Sequence, residues 1–260
     1  MTNRFSAKRF IERIRELEGN SDRDVIVLDE VDSTSSELRR RLKNGERPNT
    51  AVVAHQQLQG RGRVGRIWHS SEGNLCFSTS LLIGGPTDET VPLLPLAAGL
   101  ALREAVAETG AESFLKWPND LLIQNRKVAG ILCETVRLSK EEALAVVGLG
   151  VNIADISFPE EISRTAISLG RVIQKEADMS FLAARFTVSL ERLSRLISDG
   201  ARSEIPDAWR KAAEPFGRRV QVGDVTGKTV DLAPDGRLIV RDAAGNDVLI
   251  AGGIVESLDL

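Results

Sequence analysis

The sequence predicts an α+β protein, a mixed β-sheet flanked by helices and followed by a small all-β unit, and three observations carry that reading. Between residues 114 and 151, four strand-like apolar runs follow one another through tight polar turns such as QNRK, which makes a meander and not a βαβ alternation. Helical patterns sit on either side of it, at 91–109 and from Ser180 to about Ala213. Beyond Pro215 and Gly217 the chain breaks into short strands separated by VGD, PDG and AAGND turns, the mark of a small β-barrel or sandwich.

The elements follow in order. Residues 7–18 carry Phe10, Ile11, Ile14 and Leu17 at helical spacing, so a short amphipathic helix precedes a first strand at 25–31. The run 37–43 reads as a second helix whose N-terminal cap comes from the preceding cluster Asp32-Ser33-Thr34-Ser35. A strand at 50–56 leads into a glycine- and arginine-rich loop, 58–73, and a further strand at 75–83. Residues 91–109, rich in Leu and Ala, suit a helix that Pro92 can start. Strands are then expected at 114–117, 121–123, 127–137 and 143–151, and a helix after Ser180 puts Leu190, Leu193 and Leu196 on one face. In the tail, short strands are expected at 220–222, 228–232, 238–241 and 248–250. The expected division is a main domain over 1–213, with 1–23 as a helical lead-in, and a small domain over 214–260.

Composition narrows the function classes. The chain has 260 residues, 42% of them hydrophobic, with 34 Lys+Arg against 37 Asp+Glu and a net charge of −3, so a large core can form and a disordered chain is excluded. A near-neutral protein has no overall field to release phosphate counterions, so no nucleic-acid partner is expected, although a local basic site can exist. Cys76 and Cys133 lie in strand-like runs and read as small hydrophobes in a reducing compartment. The charged lead-in has no signal-peptide core and no stretch approaches the ~20 apolar residues of a spanning helix, so the expectation is a cytoplasmic protein with no membrane partner.

Several motifs carry no chemistry. Gly60-Arg61-Gly62-Arg63-Val64-Gly65 satisfies GxGxxG, but residues 66–75 do not open the helix that a dinucleotide site requires. Gly227-Lys228-Thr229 ends like a phosphate loop, yet Val222 stands where that loop needs glycine. Two histidines and two cysteines offer little for a metal, no GxSxG elbow is present, and the basic run 38–47 reads as a solvated helix face.

Two segments do. QLQGRGRVGRIW (57–68) places Arg61, Arg63 and Arg66 in one loop punctuated by glycines, an arrangement in which like charges are costly unless an anion joins them. Forked guanidinium donors match phosphate oxygens. In KWPNDLLIQNRKVAGILCE (116–134), a rigid Trp-Pro-Asn-Asp turn is followed by Lys127 at the head of a buried strand, ahead of the small pair Ala129-Gly130. That suggests either a charge held against a ligand or an ordinary edge lysine.

The blocks GRGRVGRIW, KWPNDLLIQNRKVAGIL and VGLGVNIA, in this order, resemble biotin–protein ligases, and the resemblance extends from about residue 24 to the β tail. It implies a catalytic domain related to class II aminoacyl-tRNA synthetases and lipoate ligases, followed by an SH3-like barrel. It implies ATP and biotin as substrates, Mg²⁺ accompanying the ATP phosphates without protein ligands, biotinyl-5′-AMP as intermediate, and a biotin carboxyl carrier domain, such as that of acetyl-CoA carboxylase, as partner. By resemblance, biotin meets Ser33, Thr34, Ser35, Gln57, Arg61, Gly62, Arg63, Lys127, Gly130 and Leu132. ATP or the adenylate meets Arg61, Arg63, Arg66, Trp68, Lys127 and Asn152. The catalytic roles fall to Lys127 and Arg63, which bridge carboxylate and phosphate, and to Asp120, which orients the carrier amine or alternatively caps its turn. Gly60, Gly62 and Gly65 are the expected hinges of a closing loop. Where some members carry a tryptophan against adenine, this chain has Ala166-Ile167-Ser168. Family members range from monomers to dimers, so a homodimer is one expectation. Alternatives are a lipoate or octanoate ligase, a non-catalytic biotin-binding regulator, and a DNA-binding repressor, disfavoured because the lead-in holds one helix where a winged helix-turn-helix needs three.

Overall fold

The architecture follows from which strands can pair through short turns and which need a crossover. In the computed structural model, which describes residues 4–154 and 157–259, the lead-in forms α1 (Ala7–Glu16), whose Ser6 side chain accepts the Arg9 N–H and whose Phe10 and Ile14 are buried. Residues 1–3 of the lead-in and Leu260 of the tail lie outside the described residues. The elements that follow are β1 (Val25–Val31), α2 (Thr34–Lys43), β2 (Ala51–Gln57), β3 (Leu75–Gly84), α3 (Thr87–Thr90), α4 (Leu94–Ala107), β4 (Phe114–Lys116), β5 (Asp120–Ile123), β6 (Arg126–Arg137) and β7 (Glu142–Val151). Helices α5 (Leu169–Ile173), α6 (Met179–Ser198) and α7 (Glu204–Ala212) complete the main unit.

The seven strands form one mixed sheet in the order β1-β2-β3-β7-β6-β5-β4. β1 and β2 are parallel because α2 carries the chain across, and every other pair is antiparallel. Alternation along β2 sorts the two faces: Ala51 and Val53 enter the main core, whereas Val52 packs with Leu38 of α2 and Val146 of β7 in a second, smaller cluster. Helices α4 and α6 therefore cover one face and α2 part of the other.

The tail forms β8 (Arg219–Val222), β9 (Val225–Leu232), β10 (Leu238–Asp242), β11 (Asp247–Ile250) and β12 (Glu256–Ser257), an antiparallel sheet ordered β11-β10-β9-β8-β12. Val220, Val222, Leu232, Leu238 and Val240 join the main core, and Trp117 donates its indole N–H to the Gly236 carbonyl at 3.1 Å.

Four local expectations change. Helix α2 begins at Thr34, three residues early, and Ser33 holds the cap position without a side-chain hydrogen bond; the free Thr34 N–H goes instead to Gln57 Oε1 at 2.8 Å. The expected helix after Ser180 is two helices, broken around Gly200, whose φ of +91° continues no helix. Helix α5 and strand β12 were not foreseen because neither is long enough to show periodicity. The helical run Thr87–Ala107 does reach spanning length and apolarity, but 67% of its most apolar window is buried in the molecule, so core packing accounts for its composition.

Candidate active site

Where β6 and β7 run side by side, three glycines leave the α2 face of the sheet bare. Gly130 pairs with Gly150, and Leu132 with Gly148. A β-carbon at Gly148 would collide with Ser35 Oγ, and one at Gly150 would lie 2.6 Å from Trp68 Cζ2. Side chains from other elements thus pack directly onto the backbone, which is the use of glycine inside a strand. Above this floor opens a cavity of about 1180 Å³, walled by the first turn of α2, the arginine loop, the 117–120 turn, residues 162–166 and parts of the tail sheet.

One end of the cavity is a cluster of buried hydroxyl groups. Ser33, Thr34 and Ser35 are all buried at the start of α2. Ser78 of β3 lies 2.8 Å from Thr34 Oγ1 and 3.0 Å from Ser35 Oγ, and Thr34 Oγ1 also donates to Gln57 Oε1 at 3.1 Å. Hydroxyl groups rotate to give or accept as a ligand demands, so this end suits a small polar ring with both donors and acceptors.

The other end is cationic. Lys127 Nζ contacts Asp120 Oδ1 at 2.6 Å and sits 5.7 Å from the Trp68 ring centroid. A β-carbon on Gly130 would come within 3.1 Å of that Nζ, so the lysine path depends on the glycine. Arg63 is half-buried and, like Arg66, forms no ion pair among the described residues; burial pushes its guanidinium below its ordinary value, and Cys133 and Asp120 pull it back. Arg66 is exposed. Arg61 lines the cavity but turns its guanidinium to Glu134, with contacts of 2.7 and 3.3 Å.

Asn152 is buried and acts on the backbone: its N–H donates to the Val128 carbonyl at 2.9 Å, and its side-chain nitrogen lies 3.4 Å from the carbonyls of both Lys127 and Ile167. Lys127 N–H in turn donates to Thr165 O at 2.7 Å, so the 165–167 segment is tied to the head of β6, with Ala166 on the cavity wall.

The loop itself is a small hairpin. Arg61 bridges to Ile67, Gly62 N–H donates to Arg66 O at 2.7 Å, and the tip Arg63–Gly65 is a 3₁₀ turn with Gly65 at φ +72°. Of the expected hinges, Gly60 is also packed against Trp68. Trp68 N–H donates to its carbonyl at 2.9 Å, and a side chain there would strike the Trp68 backbone.

The biotin/lipoate A/B protein ligase family model matches residues 27–152, the span that builds this cavity floor and its loop. The biotin–[acetyl-CoA-carboxylase] ligase of Mycobacterium tuberculosis is 31% identical, over 92% of this chain and 91% of that protein. This chain belongs to the biotin–protein ligase family. The structure of the biotin protein ligase from Aquifex aeolicus in complex with biotin and ATP is similar at a TM-score of 0.76 and 33% identity, covering 90% of this chain and 98% of that one. The ligase/repressor BirA of Bacillus subtilis is 28% identical over 85% of this chain and 70% of its own length.

Every site residue expected of a biotin–protein ligase from the sequence lines the same cavity. Sequence reasoning missed four contributors. Ser78 carries a faint signal, the polar run Ser78-Thr79-Ser80 inside an apolar strand. Gly148 and Gly150 were visible in the VGLGVNIA block but had no assigned role, and Glu134 gave no signal at all, because its partners come from α2 and the loop. Both cysteines are free; desolvation raises the Cys76 thiol and pushes Cys133 up to about 12. Among the described residues, no three His, Cys, Asp or Glu side chains cluster as a metal cage.

Proposed function

We infer that this chain is an ATP-dependent biotin–protein ligase, and the observation that carries the inference is the pairing of a hydroxyl-lined pocket with Lys127 and Arg63 across a glycine floor. The hydroxyl end takes the ureido ring of biotin, Leu132 and Trp68 line the path of its chain, and the carboxylate reaches the cations. Its oxygen attacks the α-phosphorus of ATP, pyrophosphate leaves, and biotinyl-5′-AMP forms. Both reactants are anions. Lys127 and Arg63 offset their repulsion, each charge-assisted hydrogen bond contributing roughly 1.5–3 kcal/mol. The cationic donor set suits nucleotide phosphates, and Mg²⁺ would be held by phosphate oxygens and water.

The Lys127–Asp120 ion pair suggests an order of events. Asp120 keeps Lys127 aimed into the cavity until the more strongly anionic substrates draw it away, and Asp120 is then free for the second step. There the amine of a carrier lysine attacks the acyl carbon, an amide forms, and AMP departs. Holding that amine neutral at pH 7 costs about 4–5 kcal/mol from a pKa of ~10.4, so a carboxylate that orients it and accepts its proton has a definite role.

The partner is a biotin carboxyl carrier domain of acetyl-CoA carboxylase or a similar carboxylase. For the tail we propose an SH3-like barrel as a small domain over 214–260 that packs on the main core, supported by its strand count and short turns. Lipoate ligation is the weaker reading, because the similar solved structure holds biotin and ATP.

The test is incubation with biotin, MgATP and a carrier domain, with biotin detected on the carrier. Wild type transfers biotin, and Lys127→Ala loses about 100-fold or more in rate. No transfer by wild type, or unchanged transfer by the variant, overturns this function.

A further inference from the structure

We propose that Glu134 is the positioning residue that holds the arginine hairpin over the cavity and couples it to helix α2. Glu134 continues the face of β6 that presents Gly130 and Leu132, one alternate position beyond them. Its Oε1 accepts from Arg39 of α2 at 2.8 Å and from Arg61 at 3.3 Å, and its Oε2 accepts from Arg61 at 2.7 Å. One carboxylate thus joins two structures that bound the pocket. Arg39 lies one turn beyond Thr34 and Ser35 on α2, and Arg61 lies two residues before Arg63 on the hairpin.

The hairpin needs such a tether. Its apolar side chains, Val64 and Ile67, are each 71% exposed, so burial contributes little to fixing its place. The Arg61–Ile67 bridge and the Gly62-to-Arg66 hydrogen bond make it move as a unit, so a grip on Arg61 fixes the whole. Pinning Arg61 outward to Glu134 also directs Arg63 inward, where it is half-buried and free of any carboxylate among the described residues. Removing the Glu134 charge leaves Arg39 and Arg61 as neighbouring like charges and reverses the sign of the grip. The assignment gives Arg61 a tether role in place of phosphate binding. It rests on the ligase reading only in naming biotinyl-AMP as the molecule retained.

The test is Glu134→Gln, read in two ways. Release of preloaded biotinyl-AMP should quicken about fivefold, with KM for biotin and kcat each changed less than about twofold, as suits a partly exposed ion pair that holds the hairpin and leaves the floor alone. Independently of any ligand, hydrogen exchange of amides 60–68 should accelerate while that of β6 and β7 stays as in wild type. Arg61→Gln should match Glu134→Gln, and the double variant should be no worse than either. Unchanged release and exchange, multiplying effects in the double variant, or faster exchange spread through β6 and β7 would each overturn the proposal. A wild type that forms no adenylate would sink the ligase reading, and the exchange comparison would still decide the tether.

Discussion

The floor of the cavity and the hairpin above it are both rich in glycine, and the glycines do opposite things. In the floor, Gly130, Gly148 and Gly150 sit within a hydrogen-bonded ladder and make room by lacking a side chain, so that Ser35, Trp68 and Lys127 rest on backbone. In the hairpin, Gly65 has open space where a β-carbon would go and is needed for its φ of +72°. The floor therefore sets shape, with strand geometry holding the atoms. The hairpin brings charge to whatever lies in that shape, and polar tethers set its position. Recognition and retention are divided between a rigid element and a lightly held one.

The most severe way to probe that division is to fill the floor. Gly150→Ala places a methyl group against the Trp68 indole, whose ring has strand backbone beneath it, so the ring must lift and the Lys127 path shifts with it. Overpacking of this kind costs about 1–3 kcal/mol, and with the lysine displaced the catalytic loss should be larger. We expect kcat/KM for biotin to fall at least about 100-fold with the circular dichroism spectrum retained. Gly65→Ala, by contrast, meets nothing and costs about 1 kcal/mol of backbone strain, confined to the tip. Its effect should stay below about tenfold. Equal losses in the two variants would break the distinction between floor and hairpin.

A second test removes charge from the hairpin and leaves the floor intact. Arg63→Gly deletes the half-buried guanidinium of the hairpin that forms no ion pair among the described residues. Biotinyl-AMP carries an anionic phosphate that this group would meet, and losing a charge-assisted hydrogen bond of roughly 1.5–3 kcal/mol should speed its dissociation about 10- to 100-fold. The affinity for biotin alone should change far less, because shape and the hydroxyl cluster determine it. Rapid filtration of preloaded enzyme measures the first quantity and calorimetry with biotin the second. A dissociation rate equal to wild type would show that the hairpin does not retain the intermediate.

The same division explains what could be read in the sequence. The strands of the main sheet were legible to within a residue or two at most ends because apolar runs and polar turns are local signals, and 25–31 matched β1 outright. The arginine hairpin and the Trp-Pro-Asn-Asp turn were legible as motifs. Contacts made between elements were not. Nothing local says that Ser78 faces Thr34 and Ser35, that Asp120 pairs with Lys127, or that Glu134 answers two arginines far away in the chain. The start of α2 was misplaced for the same reason. Its first free N–H is satisfied by Gln57 of β2, so the cap position falls on Ser33, inside the expected cluster, but without the side-chain hydrogen bond that would mark where the helix starts.

That helix start also supplies the mildest test, because Asp32 braces the pocket wall from outside the cavity. Its carboxylate accepts the Ser33 N–H at 2.7 Å and two hydrogen bonds from Arg40 at 2.8 Å. Chiefly through Arg40, the group is held at about 2, below its ordinary 3.8. A depressed carboxylate stabilises the fold fully above its free value and loses that contribution as pH falls through the folded one, here between about 4 and 2. Arg40 is half-exposed, so solvent screens the pair to under about 1 kcal/mol. Asp32→Asn should therefore lower Tm at neutral pH by no more than roughly 2–4 °C and flatten the acid limb of stability between pH 4 and 2. The KM for biotin should move less than about twofold. If it rises tenfold or more, the wall carrying Ser33, Thr34 and Ser35 is held as lightly as the hairpin, and the rigid side of the pocket shrinks to the glycine floor alone.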